Sequence, residues 1–311
     1  MIAFRRNCAD ELMTSKFVAW NGSHSQQGDV PLVFISLVDA VDRRNALIHR
    51  GFPPGLVASY WPAFDMRHST QEQLQSQPEA KDMTGRYGRR PLGSEVGCFI
   101  SHREVIRWFA KQSKYSQMVV FEDDAIPAVD NAFDLLANLS NSLKPHADSG
   151  KSFICHLGPR PEQWETALVR RITKKSISVR GLELLELAGK RTIIWRAHSY
   201  IISKAAADKY VSLTSKSAFL ADDWRLIMDS TKSKMVLAHP RLFVQDEIIK
   251  SSIDPENART SLIAEARSTN ASKKVSQGNI HMIKALMPGR FKRSIRVAVA
   301  SCYKRLPRIE F

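Results

Sequence analysis

The sequence predicts an α/β protein with a largely parallel sheet. Two short apolar runs, at 30–38 and 118–121, have the length and the polar flanks of buried strands. Between them, the segment from Ser94 to about Lys111 carries apolar residues at helical spacing. Strand and helix continue to alternate through the first half of the chain, and this order is typical of parallel strands joined by helices.

The remaining elements follow from the same two periodicities and from the turn-forming residues between them. Further strands are predicted at 56–60, 153–157, 192–195, 200–203, 234–237 and 242–244. Further helices are predicted from Asp42 to about Gly51 and at 131–143, 205–213 and 222–228. Stretches without a clear period, at 66–90, 159–179 and 251–277, are predicted to be irregular.

Length and composition are those of an ordinary globular protein. The chain has 311 residues and 43% hydrophobic content, enough for one large or two medium domains. No apolar window is long enough to span a membrane, and charges interrupt residues 1–20, so we expect neither a span nor a signal peptide. The chain has four widely separated cysteines: Cys8, Cys98, Cys155 and Cys302. Their spacing is not that of a metal site, which favours free thiols in a cytoplasmic protein.

The positive charge is concentrated at the carboxyl end of the chain. The net charge is +15, and residues 281–311 contain eight Lys or Arg against a single acid, Glu310. Such an excess favours a polyanionic partner: nucleic acid, anionic lipid or a phosphorylated substrate. Apolar residues recur there at helical spacing, so the tail is predicted to be a basic amphipathic helix. It either binds an anionic membrane or packs on the main domain with its basic face in water.

Three adjacent acids, Glu122, Asp123 and Asp124, directly follow the predicted strand at 118–121. Adjacent carboxylates repel one another unless a partner lies between them, and the usual partner is a hard divalent cation with oxygen ligands. In an open α/β sheet, ligands bind at the carboxyl ends of the strands. The sequence therefore predicts a metal, and a metal-bridged phosphate, at this edge.

Polar residues also mark the start of the predicted helix at 94–111. Glu95, Cys98 and His102 share one helical face, which Ile106 and Phe109 continue as an apolar stripe. Three interpretations compete: a metal site that includes Cys98, polar groups satisfied within the core, or the lining of a pocket near the acids. We favour the pocket, because a helix amino terminus also offers free N–H groups to an anion.

Residues 92–102, Leu-Gly-Ser-Glu-Val-Gly-Cys-Phe-Ile-Ser-His, and the strand that ends in Glu122-Asp123-Asp124 together resemble glycosyltransferase family 25. This family includes bacterial lipooligosaccharide galactosyltransferases and animal collagen galactosyltransferases. Its pattern is a Gly-Glu-Ile-Gly-Cys-x-x-Ser-His block that precedes a Glu-Asp-Asp. Other blocks similar to the family occur in the expected order: 34–37 with Arg43 and Arg44, 62–65, 197–203, 222–224, 243–245 and 251–253. The chain departs from the pattern at Gly93-Ser94 and at Ala197.

The resemblance implies a GT-A fold, which is a Rossmann-like α/β domain that binds a nucleotide sugar, commonly UDP-galactose, and inverts the anomeric centre. It also implies a Mn²⁺ or Mg²⁺ ion held by the acidic motif. Glu122 and Asp124 are our candidate ligands, and Asp123 is expected to turn toward ribose or sugar hydroxyls because alternate strand residues face opposite sides. The remaining donor-site residues expected from the resemblance are Arg43, Arg44, Asp65, Glu95 and His102. One of the two arginines is expected to be an ordinary surface residue.

An inverting transfer needs a general base on the acceptor side. Asp222 and Asp223 are the candidates, with Asp223 preferred and His198 second. The competing interpretation is that Asp222 caps the following helix. Trp224 is expected either to stack on an acceptor sugar or to pack in the core.

We therefore predict an extension at 1–29, a GT-A glycosyltransferase domain at 30–250 and a linker with a basic helical tail at 251–311. The predicted reaction moves a hexose, first of all galactose, from a UDP donor to a lipid-linked lipopolysaccharide or lipooligosaccharide acceptor. The predicted location is the cytoplasmic face of the inner membrane, where the tail contacts anionic lipid. A metal-dependent nuclease or nucleic-acid-binding protein is the alternative, although we expect no nucleic-acid partner. A catalytically silent binding module is the third possibility.

Overall fold

The computed structural model describes residues 19–20, 30–112, 114–158, 173–179, 181–187 and 194–246. The predicted linker and basic tail at 251–311 lie outside these residues, as does most of the predicted extension at 1–29.

Strands and helices alternate along the described chain. The strands are β1 (Ala19–Trp20), β2 (Val30–Ser36), β3 (Trp61–Pro62), β4 (Gln117–Glu122), β5 (Ala125–Pro127), β6 (Phe153–His156), β7 (Thr173–Val179), β8 (Leu182–Leu187), β9 (Ser199–Ser203), β10 (Lys234–His239) and β11 (Phe243–Gln245). The helices are α1 (Val41–His49), α2 (Pro54–Ala58), α3 (Gln71–Ser76), α4 (Pro78–Tyr87), α5 (Gly93–Lys111), α6 (Ala132–Asp148), α7 (Lys204–Thr214) and α8 (Trp224–Thr231).

A nine-stranded mixed sheet organises the fold. Its order is β1-β2-β4-β9-β6-β10-β8-β7, and β3 also pairs with β2. The registers direct β2, β3, β4, β6, β7 and β10 one way and β1, β8 and β9 the other way. The predicted α/β class is therefore confirmed, and six of the nine strands run in the same direction, although five of the eight strand pairings are antiparallel. However, β9 runs antiparallel between β4 and β6, so its first residues lie at the edge where β4 and β6 end.

Both faces of the sheet are covered, which explains why its central strands read as continuous apolar runs. Every residue of β2 is buried. Successive residues of a strand point to opposite faces, and accordingly Val33 and Ile35 belong to one hydrophobic core whereas Leu32 and Phe34 belong to the other. Helices α5 and α7 contribute to the first core and α6 to the second.

Four local predictions are wrong. The segment at 56–60 was predicted to be a strand but contains most of α2, which begins at Pro54 within a Pro-Pro pair. A short apolar run of this kind is compatible with either a strand or a helix. The segment at 66–90, predicted to be a loop, contains α3 and α4. Helix α3 starts with a capping box between Thr70 and Gln73, and α4 has Pro78 in its first turn. The described residues of the segment predicted as a strand at 192–195 have no strand structure, whereas β7 falls within the stretch predicted to be irregular.

Within the described ranges, no helix is both long and apolar enough to cross a membrane.

Candidate active site

The candidate site lies at the sheet edge where β2 and β4 end and β9 begins. The N–H of Glu122 donates to the carbonyl oxygen of His198, 2.9 Å away, so the acids after β4 adjoin the residues that enter β9. A cleft opens at this edge. It is lined by the end of β2, the segment 63–67, one face of α5, and Glu122 and Asp123.

Glu122 belongs to a cluster with two side chains of α5. The Nε2 of His102 lies 2.7 Å from the Oε1 of Glu122, and the Sγ of Cys98 lies 3.9 Å from the same oxygen. The Nδ1 of His102 contacts the hydroxyl of Tyr200 at 2.9 Å, which fixes the orientation of the ring. One ligand atom from each of Cys98, His102 and Glu122 lies within 4.8 Å of the others, so the three side chains could hold a metal ion.

Asp123 points to different partners. Ser36, at the end of β2, donates to its Oδ2 at 2.9 Å, and Arg43 of α1 donates to its Oδ1 at 3.1 Å. Burial raises the pKa of Asp123, against the lowering effect of the Arg43 charge. Arg43 is therefore paired with an acid of the cleft.

Asp124 is partly exposed as a residue, but one of its carboxylate oxygens is enclosed. Its Oδ2 accepts a hydrogen bond from the side-chain amide of Gln245, whereas its Oδ1 is buried and has no hydrogen-bond partner among the residues that the structure describes. Burial raises the pKa of Asp124 to about 7, and the neighbouring Glu122 charge contributes to this rise. An enclosed carboxylate oxygen without a partner is costly, and a divalent cation with oxygen ligands is the kind of group that would relieve this cost. The residues present therefore fit the predicted ion.

The charges around Cys98 locate a further acid near the cleft. Burial, and then the carboxylates of Glu122, Asp222 and Asp124, raise the pKa of the Cys98 thiol well above its usual value. Cys98 is thus a neutral thiol at neutral pH. Because the charge of Asp222 contributes to the raised pKa of Cys98, Asp222 lies near the cleft, although it belongs to the other half of the chain.

Two glycines bring α5 into direct contact with the segment 64–66. A Cβ on Gly93 would lie 1.9 Å from the carbonyl oxygen of Met66, and one on Gly97 would lie 2.3 Å from that of Phe64. Ser101 completes the contact, because its hydroxyl accepts from the N–H of Phe64 at 2.8 Å and donates to the carbonyl of Gly97 at 2.7 Å. This contact forms one wall of the cleft.

Asp65, which the sequence predicted to lie at the nucleotide pocket, is carried by that wall and lines the cleft. Its carboxylate accepts hydrogen bonds from Arg67 at 2.9 and 2.7 Å, and Arg67 also pairs with Asp39. The hydrogen bond from Arg67 lowers the pKa of Asp65. Asp65 therefore stays ionised and holds the Arg67 cation at the cleft.

Two predicted donor-site residues have structural contacts. Glu95 is buried, accepts two hydrogen bonds from Arg89 at 2.6 and 2.7 Å and one from the N–H of Leu92, and is not among the described residues that line the cleft. Arg44 is also buried. It donates to Ser36 at 3.0 Å and to the carbonyls of Leu37 and Val38, and its guanidinium lies 4.0 Å from the centre of the Tyr60 ring. Neither Arg43 nor Arg44 is thus an ordinary surface arginine.

The two acids before α8 have distinct contacts. The Oδ1 of Asp223 accepts from the N–H of Leu226 at 3.1 Å, and its Oδ2 accepts from the hydroxyl of Tyr87 at 2.8 Å. Asp223, rather than Asp222, is therefore the N-cap of α8. The Oδ2 of Asp222 accepts from the N–H of Arg196 at 3.1 Å, next to the entrance of β9.

The backbone of Arg196 is held in a left-handed conformation, with φ of 80°. Its carbonyl oxygen accepts from the indole N–H of Trp224 at 2.8 Å and lies 2.7 Å from the Nε2 of His156. Trp224 is 3% exposed, so it packs in the core rather than against an acceptor sugar. The residue before Arg196, Trp195, is 55% exposed.

His198 is buried beside the acids. Its Nε2 lies 3.5 Å from the carbonyl of Phe243, and its Nδ1 meets no hydrogen-bond partner in the described ranges. Burial keeps the pKa of His198 well below its usual value. His198 is therefore neutral, and a base this weak would take up a hydroxyl proton poorly.

Sequence reasoning missed several partners in the site. Tyr200 and Gln245 stood within blocks that resembled the family, but nothing in the sequence assigned them to His102 and Asp124. Arg89 gave no signal, because it stands in a stretch predicted to be a loop. The exposure of Trp195 depends on tertiary contacts that no local pattern records.

Comparison with known protein families identifies the class. Residues 30–225 match the family model described as glycosyltransferase family 25, LPS biosynthesis protein. The protein is therefore a transferase of the glycosyltransferase class. The match covers more than half of the chain, and the chain belongs to glycosyltransferase family 25, as its sequence blocks predicted. The family description associates the protein with lipopolysaccharide biosynthesis.

No curated protein sequence matches the chain. Among solved structures, the chain is similar to mannose-1-phosphate geranyltransferase from Thermus thermophilus. The two share 12% sequence identity, the alignment covers 70% of this chain and 75% of that one, and the TM-score is 0.31. A similarity of this strength supports no conclusion about function.

Proposed function

We propose that the protein is an inverting, metal-dependent glycosyltransferase that moves a hexose, first of all galactose, from a UDP donor to a saccharide acceptor of lipopolysaccharide type. The observation that carries the proposal is the carboxylate of Asp124. It lies at the carboxyl edge of the sheet beside two further acids, and one of its oxygens is enclosed and has no hydrogen-bond partner within the described part of the chain. Membership of family 25 supports the nucleotide-sugar donor and the saccharide acceptor.

Glu122 and Asp124 are the proposed ligands of a Mn²⁺ or Mg²⁺ ion. When bound, such an ion neutralises the charge that develops on the departing diphosphate. His102 orients Glu122 through the 2.7 Å contact, and Tyr200 in turn orients His102. Asp123, held by Ser36 and Arg43, is the proposed partner of ribose or sugar hydroxyls.

Asp222 is the proposed general base. The reaction forms a bond from the acceptor oxygen to the anomeric carbon, breaks the bond from that carbon to the phosphate oxygen, and moves the hydroxyl proton to the base. Asp222 lies close enough to the cleft to raise the pKa of Cys98, whereas both oxygens of Asp223 accept hydrogen bonds that hold α8 in place. The preference for Asp223 that the sequence suggested therefore gives way to Asp222 in this proposal.

The proposal also includes a location at the membrane surface, which only the amino-acid composition of the tail supports. Eight basic residues in 281–311 would contribute about 1 kcal/mol each near an anionic surface. The nucleic-acid alternative accounts for the same charge but not for the match to a glycosyltransferase family over residues 30–225.

A donor panel tests the proposal. UDP-galactose, UDP-glucose and their N-acetyl forms are each incubated with Mn²⁺ or with EDTA, and UDP release is recorded. We expect release with one hexose donor and with Mn²⁺ only. Calorimetry of UDP binding is the control that does not depend on turnover. Equal UDP affinity with Mn²⁺ and with EDTA would contradict the metal-dependent site.

A further inference from the structure

Trp195 is the feature from which a further inference follows. It is 55% exposed, although the chain is buried from Ala197, two residues further on, through β9. The other large apolar side chains recorded as exposed among the described residues are Val38 and Val41, which follow β2, and Phe64, which lines the cleft wall. A single exposed apolar residue is ordinary by itself, so the meaning of Trp195 depends on how its backbone is held.

The backbone next to Trp195 is held in an unfavourable conformation by several independent contacts. Arg196 has φ of 80°, a region that side-chain-bearing residues rarely adopt. Its N–H donates to Asp222, and its carbonyl contacts both Trp224 and His156. Backbone strain that the surroundings enforce in this way clusters at binding and catalytic sites. Here the strain fixes the position from which the Trp195 side chain leaves the chain.

The position of this segment connects it to the proposed acceptor side. The peptide unit between Trp195 and Arg196 provides the N–H that binds Asp222, the proposed base. Two residues further on, the carbonyl of His198 binds the N–H of Glu122. Trp195 thus lies on the β9 side of the edge, next to the base, whereas Phe64 and Asp65 lie on the α5 side that forms the donor cleft.

We propose that Trp195 is an acceptor-binding residue, whose indole face stacks on one face of a hexopyranose ring of the acceptor saccharide beside Asp222. This inference depends on the proposed function. The electron-rich face of an indole attracts the C–H bonds on the less polar face of a pyranose, since these carry slight positive charge. Because the peptide unit after Trp195 binds Asp222, a pyranose stacked on Trp195 would lie on the same side of the edge as the proposed base.

The experiment compares Trp195→Ala and Trp195→Phe in the full chain, with Val41→Ala as a control that removes another exposed apolar side chain. Acceptor KM is measured with core oligosaccharide released from lipopolysaccharide, and donor KM is measured in parallel. We expect acceptor KM to rise about tenfold in Trp195→Ala, much less in Trp195→Phe, and donor KM to stay unchanged. The control should resemble the wild type.

A binding measurement makes the test independent of turnover. Methyl galactoside and methyl glucoside are titrated into the protein with UDP and Mn²⁺, and tryptophan fluorescence is compared between the wild type and Trp195→Phe. We expect a saccharide-dependent change in the wild type that is lost in Trp195→Phe. Folding of each variant is verified by its thermal denaturation midpoint.

Two results would overturn the inference: an acceptor KM in Trp195→Ala within twofold of the wild type, or identical fluorescence titrations in wild type and Trp195→Phe. Both leave the proposed function intact if the wild type still binds UDP and releases it from a sugar donor. Failure of UDP binding and of donor cleavage in the wild type would instead contradict the proposed function.

Discussion

The acids after β4 and the acids before α8 look alike in sequence but differ in what the fold does with them. Glu122, Asp123 and Asp124 crowd together at a strand end, and the described residues offer no hydrogen-bond partner to one enclosed oxygen of Asp124. In Asp223, by contrast, both carboxylate oxygens accept hydrogen bonds from the protein itself. The difference teaches that an acidic motif becomes a candidate site when the fold leaves its charge uncompensated, and a structural element when the fold neutralises it.

Replacement of Asp124 should give the largest effect on activity. Asp124→Ala removes a proposed metal ligand, so we expect turnover to fall about 10³-fold while the protein stays folded. The measurement is UDP release from the best donor with Mn²⁺, together with a thermal denaturation midpoint. Asp208→Asn, which changes an exposed acid of α7, is the matched control. A variant that kept wild-type turnover would place the metal elsewhere.

The pH dependence of stability tests the same carboxylate without activity. In the ion-free protein, burial raises the pKa of Asp124 from 3.8 to about 7. Between these pH values the unfolded chain releases the proton and the folded chain keeps it, so this group lowers the free energy of unfolding as pH rises. Above pH 7 the buried carboxylate of Asp124 is ionised, and it lowers the free energy of unfolding by its full amount, about a few kcal/mol. Mn²⁺ should therefore stabilise the protein more at pH 8 than at pH 5.

The variant Asp124→Asn isolates this contribution. Burial lowers the pKa of His156 to about 4, and that group alone would raise stability with pH over part of the same range. The quantity to measure is therefore the difference in the free energy of unfolding, variant minus wild type, without metal. It should grow as pH rises from 4 to 7. A difference that does not change with pH would mean that Asp124 has an ordinary pKa in the folded protein.

Glu95 extends the comparison to an acid that the fold compensates completely. Its buried carboxylate is paired with Arg89, and Glu95→Gln leaves that guanidinium without its charge partner. We expect a loss of about 3 kcal/mol in the free energy of unfolding. Glu104→Gln, which affects partly exposed pairs with Arg103 and Arg107, should cost less than about 1 kcal/mol. Urea denaturation of both variants measures the contrast. Equal losses in the free energy of unfolding would show that burial of the Glu95–Arg89 pair does not increase its contribution to stability.

The two acids before α8 should separate activity from stability. Asp222→Asn removes the proposed base, so we expect turnover to fall about 10²-fold with little change in stability. Asp223→Ala removes an N-cap and the partner of Tyr87, so we expect a loss of about 1 kcal/mol in stability and a smaller effect on turnover. Turnover and urea denaturation are measured for both. The reverse pattern would restore Asp223 as the base.

The elements that sequence reasoning predicted share one physical cause. Strands β2 and β4 are buried on both faces, and α5 has a long apolar stripe, so hydrophobic periodicity marks all three. The acids after β4 follow directly from that strand. Helices α3 and α4 were missed because they bury few residues, among them Leu74 and Met83, and their caps are their main signal.

The contacts that complete the site could not be predicted from the sequence. The reversed direction of β9 brings 194–198 to the same edge as Glu122, and no local pattern specifies the direction of a strand. Whether Asp222 or Asp223 caps the helix depends on the residue at which the helix starts. Helix propensities do not define that start to within one residue. The pairing of Gln245 with Asp124 joins residues that lie far apart in the chain.

The contact of Gly93 and Gly97 with the segment 64–66 has a consequence for engineering donor preference. Backbone meets backbone there, because a Cβ on either glycine would overlap a carbonyl oxygen. On the α5 side of this junction there is therefore no side chain to shorten at either glycine if a bulkier sugar, such as an N-acetylhexosamine, is to be admitted. Redesign would have to start from the Phe64 side chain on the facing segment or from the opposite boundary, at Leu37 and the end of β2.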